Sequence, residues 1–286
     1  MPFHRLTTAL AATMLLAAPA MAASRDCPFR SASRWKGATM HRTVDGSAWL
    51  AVTRHRAVDA DGAPNAYHPA DAGQPCEAPG LGLDCLANAG YPGQDWWPNV
   101  LVPDGAMPDR PLVQADGPYQ GYFVSQTSLR HPVYAGVAHP DSYVDARAVP
   151  YIVLPASRAG RPGFGDAGDL GYAIDLGTGR STAFIVGDTG PDYPLGEASI
   201  AFWRALTGRD PGARDGEGLP PGALALIVFP GSGARRVLDW PIRPEQIDAD
   251  VEELLWPLGG GDAVARCAGL PRAVRVARAG ERPTGG

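Results

Sequence analysis

Residues 183–205 read AFIVGDTGPDYPLGEASIAFWRA. This stretch predicts the local structure around the acidic residues that are candidates for a reaction. Its apolar beginning predicts a short buried strand that ends at Gly187, so that Asp188 directly follows the C-terminal end of this strand. A loop rich in glycine and proline follows, and these residues impose sharp turns. The loop delivers Glu197 into the first turn of a helix, which the apolar spacing predicts to continue to about Leu206.

The two carboxylates of this stretch indicate acid/base chemistry. Asp188 and Glu197 stand nine positions apart on rigid neighbouring elements. Cleavage of a glycosidic bond needs one carboxyl group to protonate the leaving oxygen and another to activate water or to attack. Each residue also has an ordinary structural interpretation, Asp188 as a turn residue and Glu197 as the partner of a helix dipole.

The predicted surroundings of the two side chains suggest different roles. A helix N-terminus favours an ionised carboxylate, so Glu197 is predicted to be the base. The end of a buried apolar strand raises the pKa of a carboxyl group, so Asp188 is predicted to be the acid.

The same stretch carries a resemblance to a known enzyme family. The motif GDTGP followed by GEAS resembles the signature of glycoside hydrolase family 75, the chitosanases. The segments VDADG at residues 58–62 and PYIVLP at 150–155 are similar to further parts of that family, so the likeness covers residues 57–231. It implies an enzyme that hydrolyses β-1,4 glucosamine linkages with inversion, through Asp188 and Glu197 and without a cofactor or a metal. Residues 91–147 depart from the family's pattern.

The fold class expected is mainly β. Gly (36) and Pro (29) punctuate short apolar runs, which favours a loop-rich β protein. The order strand, Asp, Gly-Pro turn, helix is also similar to the end of the double-psi β-barrel of expansins, family 45 endoglucanases and some lytic transglycosylases. That similarity implies a six-stranded double-psi-like barrel with one or two short helices and long loops. The strands are expected at residues 47–58, 100–102, 119–126, 151–154, 170–176, 183–186 and 223–229, and a second helix at 244–255.

Five further residues are predicted to bind substrate. Carboxylates that line a groove would hold protonated amino sugars, and Asp59 and Asp61 in Asp-Ala-Asp-Gly are such candidates. Their ordinary interpretation is a turn. Trp96, Trp97 and Tyr143 offer flat apolar faces in loop-rich sequence, which suit stacking on sugar rings, although packing under a loop would explain them as well.

The N-terminus predicts secretion. Residues 1–22 combine a positive start, an apolar run and a small-residue cleavage site, which is typical of a signal peptide. Residues 23–267 are then expected to form a single hydrolase-like domain, and the Arg-, Pro- and Gly-rich residues 268–286 a flexible tail. The expected location is extracellular or periplasmic.

The four cysteines agree with an oxidising compartment. An even number there indicates disulfides, and three pairings are possible. Cys76 and Cys85 are spaced to close a local loop, and Cys27 and Cys267 to join the ends of the domain. A zinc site is a poor alternative because the chain has no Cys-x-x-Cys pair.

Charge and composition exclude several classes of partner. The formal net charge is −5, and loss of Arg5 with the leader would make it −6, so nucleic acid is not an expected partner. No apolar run after the leader is long enough for a membrane span, and a monomer is expected. Two alternative functions stay open: a peptidoglycan-directed hydrolase or lytic transglycosylase, and a non-catalytic wall-binding module like an expansin.

Overall fold

A computed structural model describes residues 27–131, 138–236, 238–270 and 277–278; the predicted leader lies outside these ranges. Within them the chain forms ten strands and three helices. The strands are β1 (Phe29–Trp35), β2 (Ala38–Thr43), β3 (Trp49–Thr53), β4 (Ala57–Asp59), β5 (Tyr151–Pro155), β6 (Leu170–Asp175), β7 (Arg180–Gly190), β8 (Glu197–Ser199), β9 (Leu224–Phe229) and β10 (Ala277–Arg278). The helices are α1 (Ile200–Thr207), α2 (Pro244–Leu255) and α3 (Gly260–Cys267).

The fold is mainly β, as predicted, and is built on one mixed sheet. The strand order is β1-β2-β3-β9-β6-β7-β5-β8-β4, with β10 beside β7. The pairing of the described strands leaves this sheet open, so the predicted six-stranded barrel is not confirmed. The sheet is strongly curved, however. Five strands lie between β3 and β4 in the sheet, but only three residues separate them in the chain, so the two strands must lie close together. At this bend Thr53 Oγ1 donates to the carbonyl of Leu195 (2.7 Å), and the N–H of Ala57 donates to that of Gly196 (3.2 Å).

Both faces of the sheet are buried, which explains the unbroken apolar runs of its central strands. In β9, Leu224, Leu226 and Val228 point into one core, and the alternate residues, such as Ile227, point into the other. Helix α1 covers the first core with Phe202 and its neighbours. Helices α2 and α3 cover the second.

The local patterns predicted the central strands and one helix well. Strands β5, β6 and β9 lie where the apolar runs placed them, and α2 spans residues 244–255 as predicted. The Gly-rich turn at residues 177–179 joins β6 and β7, which pair antiparallel. These elements are confirmed because their signal is local.

The predicted ends of the 183–205 elements are wrong. Strand β7 does not end at Gly187 but runs on to Gly190, so Asp188 lies inside it. Tyr151 packs on Gly187 so closely that a Cβ there would lie 2.5 Å from its ring, which is why a glycine interrupts the apolar run. Glu197 begins a strand rather than a helix, and α1 starts three residues later, capped by Ser199.

The described residues between β4 and β5, 60–131 and 138–148, form a long covering over one end of the sheet. The strands expected at 100–102 and 119–126 are reduced to single bridges, Leu101 to Ser125 and Val113 to Phe123. The lead-in to the domain is a β-hairpin, β1 with β2. Of the predicted flexible tail, Ala277–Arg278 pairs in parallel with β7, and most of the rest lies outside the described residues. No helix within the described ranges is both long and apolar enough to cross a bilayer.

Both predicted disulfides are present. Cys27 bonds to Cys267, which joins a residue two positions before β1 to the last residue of α3. Cys76 bonds to Cys85 within the long covering segment. The four-thiolate zinc site is thereby excluded.

The two disulfides should differ in their contribution to stability. The sequence separation is 240 residues for Cys27–Cys267 and 9 for Cys76–Cys85. Loop-closure entropy then predicts that replacing the first pair by alanine lowers the free energy of unfolding by about 5 kcal/mol, and the second by about 2.5 kcal/mol. Urea denaturation of the two double variants measures this. Equal losses would contradict the entropic account.

Candidate active site

Three strands bring the predicted carboxylates together at one end of the sheet. Asp188 lies on β7 and Glu197 on β8, and both strands pair with β5 between them. Asp59 ends β4, where it lies opposite Ser199 of β8. Asp61 follows two residues later. Residues that are far apart in the chain therefore converge, because β5 pairs with both β7 and β8, and β8 in turn pairs with β4.

Asp188 is buried and held by three donors. Its Oδ1 accepts from the N–H (2.8 Å) and the hydroxyl (2.6 Å) of Ser128, and from the N–H of Thr189 (2.7 Å). Burial raises the pKa of Asp188 to about 6, although these hydrogen bonds and the charge of Arg130 act in the opposite direction. The prediction of a raised pKa at this residue is thus confirmed in direction.

Glu197 does not have the surroundings that the sequence predicted. It lies in a strand, so no helix N-terminus stabilises its ionised form. Burial and the nearby charges of Asp188 and Asp84 raise the pKa of Glu197 to about 7. Its Oε2 lies beside the backbone of Gly190, 3.8 Å from where a Cβ would stand. Burial thus raises the pKa of both carboxyls of the predicted pair.

Asp59 and Asp61 belong to the same cluster. Asp59 Oδ1 accepts from the N–H of Asp61 (2.8 Å), and the hydroxyl of Tyr67 donates to Asp61 Oδ1 (2.9 Å). Tyr151 donates to the backbone carbonyl of Asp61 (2.9 Å). Burial, followed by the charges of neighbouring carboxylates, raises the pKa of both aspartates well above the usual value. The structure therefore brings together four of the seven residues predicted for the site.

Three of these residues are also the ones that a metal ion would contact. Asp59, Asp61 and Asp188 each present a carboxylate oxygen, and these oxygens lie within 4.8 Å of one another. Oxygen donors of this kind suit calcium or magnesium. Burial and the neighbouring charges favour the protonated forms of these carboxyls, however, and the cluster alone does not identify a cation site.

Sequence reasoning missed Asp84 and Tyr67. Asp84 is buried, and its Oδ1 accepts from the N–H of Cys85 (2.7 Å) and from the side chain of Asn88 (2.7 Å). The hydroxyl of Tyr67 lies 3.3 Å from Asp84 Oδ2, so this phenol links Asp84 to Asp61. Burial raises the pKa of Asp84 to about 6. No motif marks either residue, since only the folding of the disulfide-bonded segment brings them to the site.

The three predicted aromatic residues occupy different environments. Trp97 is 9% exposed and meets Tyr91 edge to face, so it is a core residue and its predicted stacking on sugar is wrong. Trp96 is 39% exposed and lies over Gly90. Tyr143 is mostly buried, with the Arg130 guanidinium 5.6 Å from its ring centre. The two tryptophans separate because only one of two adjacent residues can face the core.

Comparison with known proteins leaves the likeness to chitosanases as a motif resemblance. No protein-family model matches the chain, and no curated protein matches it significantly.

The buried carboxyls predict an unusual dependence of stability on pH. In the unfolded chain carboxyl groups ionise near pH 4, whereas in the folded protein Asp188 and Glu197 ionise near pH 6 and 7. The folded state therefore binds more protons in this interval, and stability falls as pH rises from about 4 to about 7. Thermal unfolding should show Glu197→Gln melting a few degrees above the parent protein at pH 7.5 but not at pH 4.

Glu245, which is exposed on α2, provides the matched control for that variant. Glu245→Gln should leave the melting curves unchanged at both pH values. A parent protein that gains stability steadily from pH 4 to pH 7 would contradict the buried, protonated cluster.

Asp84 should act on the site through its charge. Its ionised form raises the pKa of Glu197, so Asp84→Asn is expected to lower that pKa. Carboxyl ¹³C titration of Glu197 by NMR measures the effect without any substrate. Asp116→Asn, in an exposed loop, is the control. An unchanged Glu197 titration in Asp84→Asn would show that the two carboxyls do not interact.

Proposed function

We propose that this chain is a glycoside hydrolase that cleaves β-1,4 linkages of an amino-sugar polymer such as chitosan. The observation that carries the proposal is the placement of Asp188 and Glu197 on strands that flank β5, each with a pKa raised into the range where carboxyl groups exchange protons near neutral pH. Pairs of titratable groups with environments of this kind are typical of acid/base sites.

The two carboxyls divide the work in the reverse of the order that the sequence suggested. Glu197 keeps its proton to about pH 7, so it donates that proton to the glycosidic oxygen as the bond from this oxygen to the sugar's C1 breaks. Asp188 ionises first, and its three donors all bind Oδ1. Oδ2 then takes a proton from the water that attacks C1 on the opposite face, which gives inversion.

The substrate class follows from the charge of the cluster. Asp59 and Asp61 add two more carboxyl groups beside the pair, and the chain as a whole has a formal net charge of −5. A glucosamine polymer carries ammonium groups. These positive charges would attract the carboxylates of the cluster and favour their ionised forms. A neutral or acidic polysaccharide would bring no positive charge to the cluster.

We further propose that the curved part of the sheet is a six-stranded barrel of double-psi type. Residues 49–59 would act as one bent strand, which pairs with β9 through β3 and with β8 through β4. With β5, β6 and β7 this makes six strands around the core that contains Trp49 and Phe202. The hydrogen bond from Thr53 to Leu195 supports this closure.

The two disulfides are compatible with an extracellular protein, since such bonds persist in oxidising compartments. Together with the signal-like residues 1–22 they support the proposal that the enzyme is secreted or periplasmic. A polymeric substrate outside the cytoplasm fits that location.

A reducing-end assay on chitosan tests the function. Asp188→Asn and Glu197→Gln should each lower kcat about 10²–10⁴-fold, because each removes one proton transfer. Activity of the parent protein should peak between about pH 6 and pH 7, between the pKa values of the two groups. Asp116→Asn and Glu245→Gln, both exposed, should retain full activity.

The outcome also separates the alternatives. Cleavage of murein with no action on chitosan would place the chain among peptidoglycan-directed enzymes. Binding to polysaccharide with no new reducing ends from either polymer would leave the expansin-like wall-binding module as the remaining candidate. In both cases the chitosanase proposal would be overturned.

A further inference from the structure

A cavity of about 430 Å³ lies next to the acidic cluster. It is formed by the turn after Asp61, by residues 140–149 and by Trp240 with the two residues that follow it. Its volume falls within the range of small-ligand sites in proteins, which is about 300–1,000 Å³. Since its walls come from three distant parts of the chain, no local motif announces it.

The cavity and the acidic cluster share their walls. Gly62 lines the cavity and directly follows Asp61. The carbonyl of Val144, another lining residue, packs against Gly62 so closely that a Cβ there would lie 2.1 Å from it. The N–H of Val144 donates to Thr127 Oγ1 (3.0 Å), and the next residue, Ser128, binds Asp188. A polymer that is cut at Asp188 and Glu197 therefore has this cavity as its neighbour.

The lining combines aromatic rings with carboxyl groups. Tyr143 and Trp240 contribute rings, and the indole N–H of Trp240 donates to the carbonyl of Asp141 (2.7 Å), which holds this side chain in place. Asp145 contributes a half-buried carboxyl whose Oδ1 accepts from the N–H of Arg147 (2.8 Å). The side chain of Asp141 is largely exposed at the cavity.

We propose that this cavity is a subsite that binds one amino-sugar residue of the polymer beside the linkage that is cleaved. The ring of Trp240 would pack on the apolar face of the sugar, and the carboxyls of Asp145 and Asp141 would bind its ammonium and hydroxyl groups. This inference rests on the proposed function, because it assigns the substrate class of the same enzyme. It adds determinants of binding outside the catalytic pair: Asp141 and Asp145 within residues 91–147, which depart from the chitosanase pattern, and Trp240 beyond the end of the likeness.

Binding can be tested apart from cleavage. The ligand is a glucosamine hexamer, and it is titrated into the Glu197→Gln protein, which should bind it without cleavage under the proposed mechanism. NMR follows the signal of the Trp240 indole N–H, and calorimetry measures Kd. The Trp240 signal should shift on binding. Adding Trp240→Ala should weaken binding about 5- to 20-fold, and Trp240→Phe should restore most of it, since a ring is retained.

The charge at the subsite has its own variant and control. Adding Asp145→Asn should weaken binding of the glucosamine hexamer more than that of its N-acetylated counterpart, because only the first carries ammonium groups. Trp256→Ala, at a tryptophan that is 82% exposed after α2, should change neither. Unfolding curves of each variant establish that it is folded.

Two results would overturn the subsite. One is equal affinity of the hexamer for the Trp240→Ala protein and its parent, and the other is an unshifted Trp240 signal in the saturated complex. A failure of the proposed function gives a different result. The wild-type protein would then not cleave chitosan, whether or not the hexamer shifts the NMR signal of the Trp240 indole.

Discussion

Burial of several carboxyl groups at one end of a curved sheet is the constraint on which the rest of this structure depends. Water would keep Asp59, Asp61, Asp188 and Glu197 ionised, whereas burial and mutual repulsion favour their protonated forms. The fold holds them there because Asp188, Glu197 and Asp59 lie on strands that are joined in the order β7-β5-β8-β4, and Asp61 follows β4 by two residues. Under the proposed function, stability given up at this cluster is the ordinary cost of groups that exchange protons in the reaction.

The described parts of the long segment between β4 and β5, residues 60–131 and 138–148, complete this environment. They place Ser128 against Asp188 and Tyr67 between Asp61 and Asp84, and they form a wall of the neighbouring cavity. Their own order depends on features other than regular strands. Arg214 binds Asp71 and the carbonyl of Cys76, and the Cys76–Cys85 disulfide closes the turn that carries Asp84. A loop region fixed in this way can position catalytic groups as firmly as a sheet does.

The sequence predicted the elements whose signal lies within a few residues. Strand β9 and helix α2 follow from an apolar run and from a proline followed by helical periodicity, and the carboxyl pair was recognised from its motif. It failed at Glu197, where the apolar spacing favours a helix but pairing with β4 and β5 extends the chain. It also failed at Trp97, because nothing local says which of two adjacent tryptophans faces the core. No motif or spacing in the sequence marks Asp84 as a residue of this site.

The amino-acid sequence alone was enough to predict the mainly β class and disulfide bonds among the four cysteines. It was also enough to identify two acidic residues that are separated by a Gly- and Pro-rich loop. Those properties are set by side-chain periodicity, by turn residues and by composition, all of which act over short stretches. That Asp59, Asp61 and Asp84 join this pair, and that Glu197 lies in a strand with a raised pKa rather than at a helix N-terminus, follows from the tertiary structure alone. The reason is that a pKa responds to every charge and every buried surface within a few ångströms, and strand pairing brings those together from 140 residues of chain.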